Sequence, residues 1–203
     1  EKMHHSMPFY HPQRRIWVEV HTRLFPPASH VGRDRIFSDT HVRSQAVACV
    51  FRGSAALQLS DTLQIAYICA HWAKNFNQQR GLIPLLDLLQ LLKNGEDVID
   101  WDSLLGWLHA SRSAAHVHVM LAYLARHHLI TLPPATGARL ASIQTGLNRW
   151  SVSILHRLMD RYLMHGRHFG RVDSAHNISI IWKSLLSPGS AWGNLASVPW
   201  NLV

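Results

Sequence analysis

The sequence predicts an α+β chain that is mainly α. It should hold a small sheet element over residues 1–59, with a strand about 15–24 and a short hairpin about 47–59, followed by a helical domain over 60–203. Three observations predict this. Residues 15–24 follow the two-residue period of a strand, with Ile16, Val18, Val20 and Leu24 on one side and Arg15, Trp17, Glu19, His21 and Arg23 on the other. Two short apolar runs, 47–51 and 55–59, flank Arg52-Gly53-Ser54 as the arms of a hairpin would. From Ser60 onward the apolar spacing lengthens to that of helices.

Composition bounds the rest. The chain has 203 residues, 47% of them hydrophobic and 16% charged, which excludes a disordered polymer. A chain of this size can bury a core without a disulfide or metal staple. Two cysteines, Cys49 and Cys69, make no framework, so a reducing compartment is the simpler reading. The longest apolar stretch, LIPLLDLLQLL, is interrupted by Pro84 and Asp87 and is too short to cross a bilayer. No export signal opens the chain, and a cytoplasmic protein that does not engage a membrane is expected. With 20 Lys and Arg against 12 Asp and Glu, the formal charge of +8 suits an anionic partner such as a polyanion or nucleic acid. The 16 histidines are too many for one site.

Taken in order, residues 1–14 read as irregular, because Pro8 and Pro12 bracket Phe9-Tyr10-His11. The strand 15–24 follows, then a loop over 26–34. Asp61 and Gln64 resemble a capping box that opens the helix carrying LQIAYICAHWAKNF. A leucine-rich helix over 82–93 stops at Asn94-Gly95. Asp100 caps the next, and another spans roughly 113–129 before Pro133-Pro134. One long amphipathic helix is expected over 139–165, with Ile154, Leu155, Leu158 and Leu163 inward and Arg149, Arg157 and Arg161 outward. Asp173 is expected to cap a last helix reaching Leu186.

The strand face Trp17-Glu19-His21 is the first candidate for chemistry. A hydrophobic-acid-hydrophobic strand can hold one carboxylate against Mg²⁺, a hard ion that wants oxygen ligands on a rigid backbone. The competing reading is a solvated edge strand with Glu19 paired to Arg15 or Arg23. His71, Lys74 and Asn75 share a helix face, and Asp87 opens toward them if the next helix packs antiparallel. Such a set could hold a triphosphate or a base, or could be a structural polar cluster. Gly53-Ser54 and Asp100-Trp101-Asp102 have the spelling of a phosphate-handling turn and an Asp-x-Asp pair, but both stand in the wrong context. His4, His5 and His11 could converge in a loop, and no histidine group has the spacing of a zinc site. Arg149, Arg157, Arg161, Arg167 and Arg171 alternate with Trp150, Tyr162 and Phe169, a pattern that suits nucleic acid or an acidic partner bound by a non-catalytic helical module. The same aromatic positions also follow core spacing.

The run HHSMPFYHPQRRIWVEVHTRLFPP, followed by AYICAHWAKN, LLDLLQLL, IDW and RVDSAHNISIIWKSLLSPGSAWGNL, resembles an uncharacterised bacterial nucleotidyltransferase family of the polymerase-beta-like superfamily. The resemblance implies a small mixed sheet with a Gly-Ser turn, an Asp-x-Asp strand and a later strand bearing a third acid, then a helical domain. It implies transfer of a nucleotidyl group from an NTP to an unknown acceptor with Mg²⁺. Glu19 matches the third carboxylate, as catalytic group and metal ligand, and His21 closes the same strand motif. His71, Lys74 and Asp87 match polar positions on the first two helices. Because Glu19 stands so near Glu1, the Gly-Ser and Asp-x-Asp segment is expected upstream, and this chain is expected to be a C-terminal portion that is inactive alone. An exposed sheet edge along 15–24 is then expected to be covered by the missing piece or by a second copy in a homo-oligomer.

Overall fold

The computed structural model describes residues 6–29, 31–74, 82–95, 98–109, 111–143 and 149–163. It divides the chain into two units, Glu1–Ser60 and Asp61–Val203.

In the first unit, β1 (Phe9–His11) pairs antiparallel with β2 (Ile16–Val18), setting Phe9 against Val18, Tyr10 against Trp17 and His11 against Ile16. The turn closes through Arg15, whose φ of 53° lies in the left-handed region. Arg14 donates its backbone N–H to His11 Nδ1 at 3.4 Å. Beyond the ladder, Ser6 donates its N–H to the Val20 carbonyl at 2.8 Å, and Val20 donates its own to Ser6 Oγ at 3.1 Å. Two expectations are corrected here. The strand is three residues long rather than spanning 15–24, and the stretch expected to be irregular supplies its partner. Pro8 and Pro12 sit just outside β1, at strand ends, where their missing N–H costs no ladder bond. Ile16, Val18 and Val20, from the apolar side of the alternation, are all exposed. A lone two-stranded ribbon offers no second layer to bury against.

The loop that follows carries this unit's buried apolar side chains among the described residues: Phe25, Val31, Ile36 and Phe37. The Phe25 and Phe37 rings meet edge-on at 4.8 Å. Ser29 ties the loop, donating its hydroxyl to the Pro26 carbonyl at 2.7 Å and accepting the Gly32 N–H at 2.9 Å. A Cβ on Gly32 would collide with that carbonyl, which is why glycine stands there. Residues 31–33 and 35–37 form single 3₁₀ turns. The short helix α1 (Asp39–Ser44) has no counterpart in the sequence reading, since none of its residues is buried and no apolar period announces it. Then comes the expected hairpin, β3 (Ala46–Phe51) and β4 (Ser54–Leu59), paired over six registers. Arg52 (φ 50°) and Gly53 (φ 81°) make its two-residue turn, the mirror-image geometry that matches strand twist.

The second unit is helical: α2 (Asp61–Lys74), α3 (Leu82–Asn94), α4 (Trp101–Leu108), α5 (Ala114–Arg126), α6 (Pro134–Ser142) and α7 (Arg149–Leu163). The central α2 packs on α3, α4 and α5 and buries Leu63, Ile65, Cys69 and Trp72. Leu88, Leu104, Leu108, Leu121 and Leu124 are fully buried on the other helices. Each such side chain contributes on the order of 1.5–3 kcal/mol over its exposed state. The single helix expected over 139–165 is two, because Ile143 takes an extended conformation (ψ 126°) and ends α6. Pro134 starts α6 instead of marking a stop, since its fixed φ suits a first helical turn. Of the expected inward residues on α7, Leu155 is buried and Ile154 and Leu158 are half-buried, while Arg157 is exposed. The helix expected after Asp173, and Arg167, Phe169, Arg171, His4 and His5, lie outside the described residues, as do the side chains of Arg149, Trp150, Arg161, Tyr162 and Leu163.

Candidate functional site

Glu19 leaves β2 one residue past its end, where the bonds between Ser6 and Val20 keep the chain extended. Alternation then places Glu19 and His21 on the same side, and Glu19 Oε2 lies 3.5 Å from His21 Nε2. Both side chains are open to solvent, at 44% and 45% exposure, so the contact is weak and the carboxylate stays accessible. Neither arginine considered as its partner takes that role: Arg23 Nη2 lies 3.4 Å from Asp39 Oδ2, and Arg15 forms the turn.

For Mg²⁺, the first unit offers one accessible carboxylate at this strand. That is compatible with an ion commonly held by one or two carboxylates together with water and substrate phosphates. Among the described residues no group of three or more His, Cys, Asp or Glu side chains is arranged to hold a metal by itself. His11, one of the histidines considered for a metal, accepts the Arg14 N–H instead.

The helical candidates separate. His71 is half-buried on α2, its ring 5.5 Å from that of Tyr67 one turn earlier. Asp87 is exposed on α3, on the side away from the buried Leu85, Leu88 and Leu92. Lys74 closes α2, with its side chain outside the described residues. The described contact that joins two of the candidate residues is the one between Glu19 and His21.

The chain's Asp-x-Asp spelling serves a structural end. Asp100 caps α4: its Oδ1 accepts the Ser103 N–H at 2.9 Å and its Oδ2 accepts the Ser103 hydroxyl at 2.7 Å. These bonds, led by the backbone one, hold its carboxyl below the usual carboxylate range. Asp100 also donates its N–H to Thr62 Oγ1 at 3.0 Å, and Asp102 is bonded to Arg139. Ser54 of the Gly-Ser pair is the first residue of β4, paired with Phe51.

One polar cluster has no counterpart in the sequence reading. Tyr123 on α5 donates its hydroxyl to Asp160 Oδ1 on α7 at 3.0 Å. His127 Nε2 lies 2.9 Å from the same oxygen without forming a hydrogen bond to it. His156 Nε2 stands 3.1 Å from the Val119 carbonyl, an acceptor only, so this nitrogen carries the hydrogen and donates it. Burial lowers the proton affinity of His156 and of His118, and burial together with the Asp160 carboxylate raises that of the Tyr123 hydroxyl. Only the pairing of helices more than thirty residues apart assembles this group, so no local spacing could reveal it. Cys69, buried on α2, is held as the thiol.

No curated protein and no solved structure matches the chain. Residues 1–129 match the family described as uncharacterised nucleotidyltransferase. The match takes in Glu19, His21, His71, Lys74 and Asp87 and ends at the close of the α5 region. Covering most of the chain, it places this protein in that nucleotidyltransferase family.

Proposed function

We propose that Glu19 supplies a carboxylate to a Mg²⁺ site at which a nucleotidyl group passes from an NTP to an acceptor. The carrying observation is an accessible acid just past the end of a strand inside the family-matched span, set beside His21 and, among the described residues, bound to no arginine. The bound ion would supply charge neutralisation on the phosphates. Glu19 itself would offer oxygen ligands on a backbone fixed by the Ser6–Val20 bonds. His21, beside it, would hold the carboxylate's orientation or donate a ring N–H to a phosphate oxygen. His71, Lys74 and Asp87 are proposed as secondary contacts to nucleotide or acceptor.

A nucleotidyl-transfer site of this kind needs more than one acid. The Asp-x-Asp spelling here is spent on a helix cap and on Arg139. The chain by itself is therefore proposed to bind Mg²⁺–NTP without transferring it. Calorimetric titration with ATP should show binding that depends on Mg²⁺, and Glu19→Ala should weaken it at least about tenfold, the loss of roughly 1.4 kcal/mol of charge-assisted contact. Unchanged binding in that variant overturns the role of Glu19. Labelled product formed from NTP, Mg²⁺ and a candidate acceptor by the 203-residue chain alone overturns the need for further acids.

A further inference from the structure

The first hairpin displays aromatic and basic side chains that its own fold does not use. Tyr10 and Trp17, directly opposed across β1 and β2, have ring centroids 4.8 Å apart and planes tilted by 41°. Trp17 is 69% exposed and Tyr10 48%. A cross-strand aromatic pair steadies a ribbon, yet this one leaves most of the indole face to water. Phe9, Ile16 and Val18 are exposed on the same two strands, so the rings stand among neighbouring apolar side chains rather than singly. The turn joining the strands presents Arg14 and Arg15, both exposed, and no acid lies anywhere from Ser6 to Val18. Arg15 holds a left-handed backbone that non-glycine residues seldom adopt and that clusters at functional turns. The second hairpin has the same combination at its tip, with the Arg52 guanidinium 5.8 Å over the exposed Phe51 ring.

We infer that the Tyr10–Trp17 face is a stacking platform for the bases of a single-stranded nucleic acid, with Arg14 and Arg15 on its phosphates. Flat rings beside cations complement a polymer of flat bases and anions. A duplex hides its base faces, and an apolar protein partner would have no use for two adjacent arginines at the tip. Glu19 follows Trp17 by two residues on the same side of the extended chain, so a strand laid on this platform would bring its end to that carboxylate. Naming the strand as acceptor rests on the role proposed for Glu19; the binding surface itself does not.

The test is fluorescence anisotropy of the full chain with a labelled single-stranded oligoadenylate. Binding is expected, and Trp17→Ala or Tyr10→Ala should weaken it about tenfold, the share of one stacked base. Trp17→Phe, which keeps a ring, should recover much of the loss and so separates stacking from damage to the hairpin. Replacing Arg14 and Arg15 together by alanine should flatten the plot of log affinity against log salt by about 1.4, the share of two phosphates. The same sequence as a duplex should bind more weakly. Absence of strand binding, equal affinity in Trp17→Ala, equal affinity for the duplex, or capture by phosphatidylglycerol vesicles in place of the strand would each overturn the inference. Magnesium-dependent ATP binding on the same samples separates the two readings. Strand binding without ATP binding overturns the Glu19 role alone, and ATP binding without strand binding overturns the platform alone.

Discussion

At the scale of single residues, the buried His156 and the half-buried His118 are the groups whose chemistry depends most on the fold. His156 and His118 sit in the helical unit with proton affinities lowered from the ordinary 6.5, chiefly by burial. Nearby Arg126 lowers that of His156 further, while the Val119 carbonyl and Asp160 act against it. The folded form therefore disfavours the proton that an unfolded chain would take up near that value. Their contribution to stability is fully present above pH 6.5 and is lost as the pH falls below it toward their lowered values. The melting temperature of the helical unit, followed by circular dichroism, is expected to drop as the pH is taken from neutral to mildly acidic. His156→Gln, whose amide can still donate to the Val119 carbonyl, should make that slope shallower. An unchanged slope would mean that other groups carry the pH dependence.

At the scale of elements, what was legible follows from how local each signal is. The hairpin of β3 and β4 could be read because Arg52-Gly53 sits between two apolar runs, and the structure puts both turn residues at positive φ. Gly53→Ala should therefore cost this hairpin about 1 kcal/mol, seen as faster hydrogen exchange of the Val47 to Leu57 amides. Helices α2 to α5 could be read because apolar period and stop signals agree: Asp100 caps α4 and Gly95 follows α3. The proximity of Glu19 and His21 followed from strand alternation. Three things were not legible. β1 depends on register with β2 rather than on a period of its own, so Tyr10 did not enter any site. α1 is too short and too exposed to show a face. The break at Ile143 is a single backbone conformation inside an otherwise continuous amphipathic pattern.

At the scale of the whole molecule, the buried apolar residues are shared unequally. Among the described residues the first unit buries Phe25, Val31, Ile36 and Phe37, and the helical unit holds the remainder. The first unit is thus held largely by turns and loop ties such as Ser29 to Pro26, while helix packing holds the second. An exposed recognition surface fits a unit of the first kind, where little packing constrains which side chains face out.

The hydrogen bond from Tyr123 to Asp160 also bears on where the chain can be cut. The family match stops at residue 129, which falls between these two partners. A chain ended there would keep α5 but lose α6 and α7, with the buried Leu140, Leu155 and Met159 that pack in this unit and the partner of the Tyr123 hydroxyl. It should melt at a lower temperature and less cooperatively than the 203-residue chain, and a cut placed after Leu163 should retain more of the original transition. The span that defines the family and the span that folds would then be different lengths, and any assay of the former requires preparing the latter.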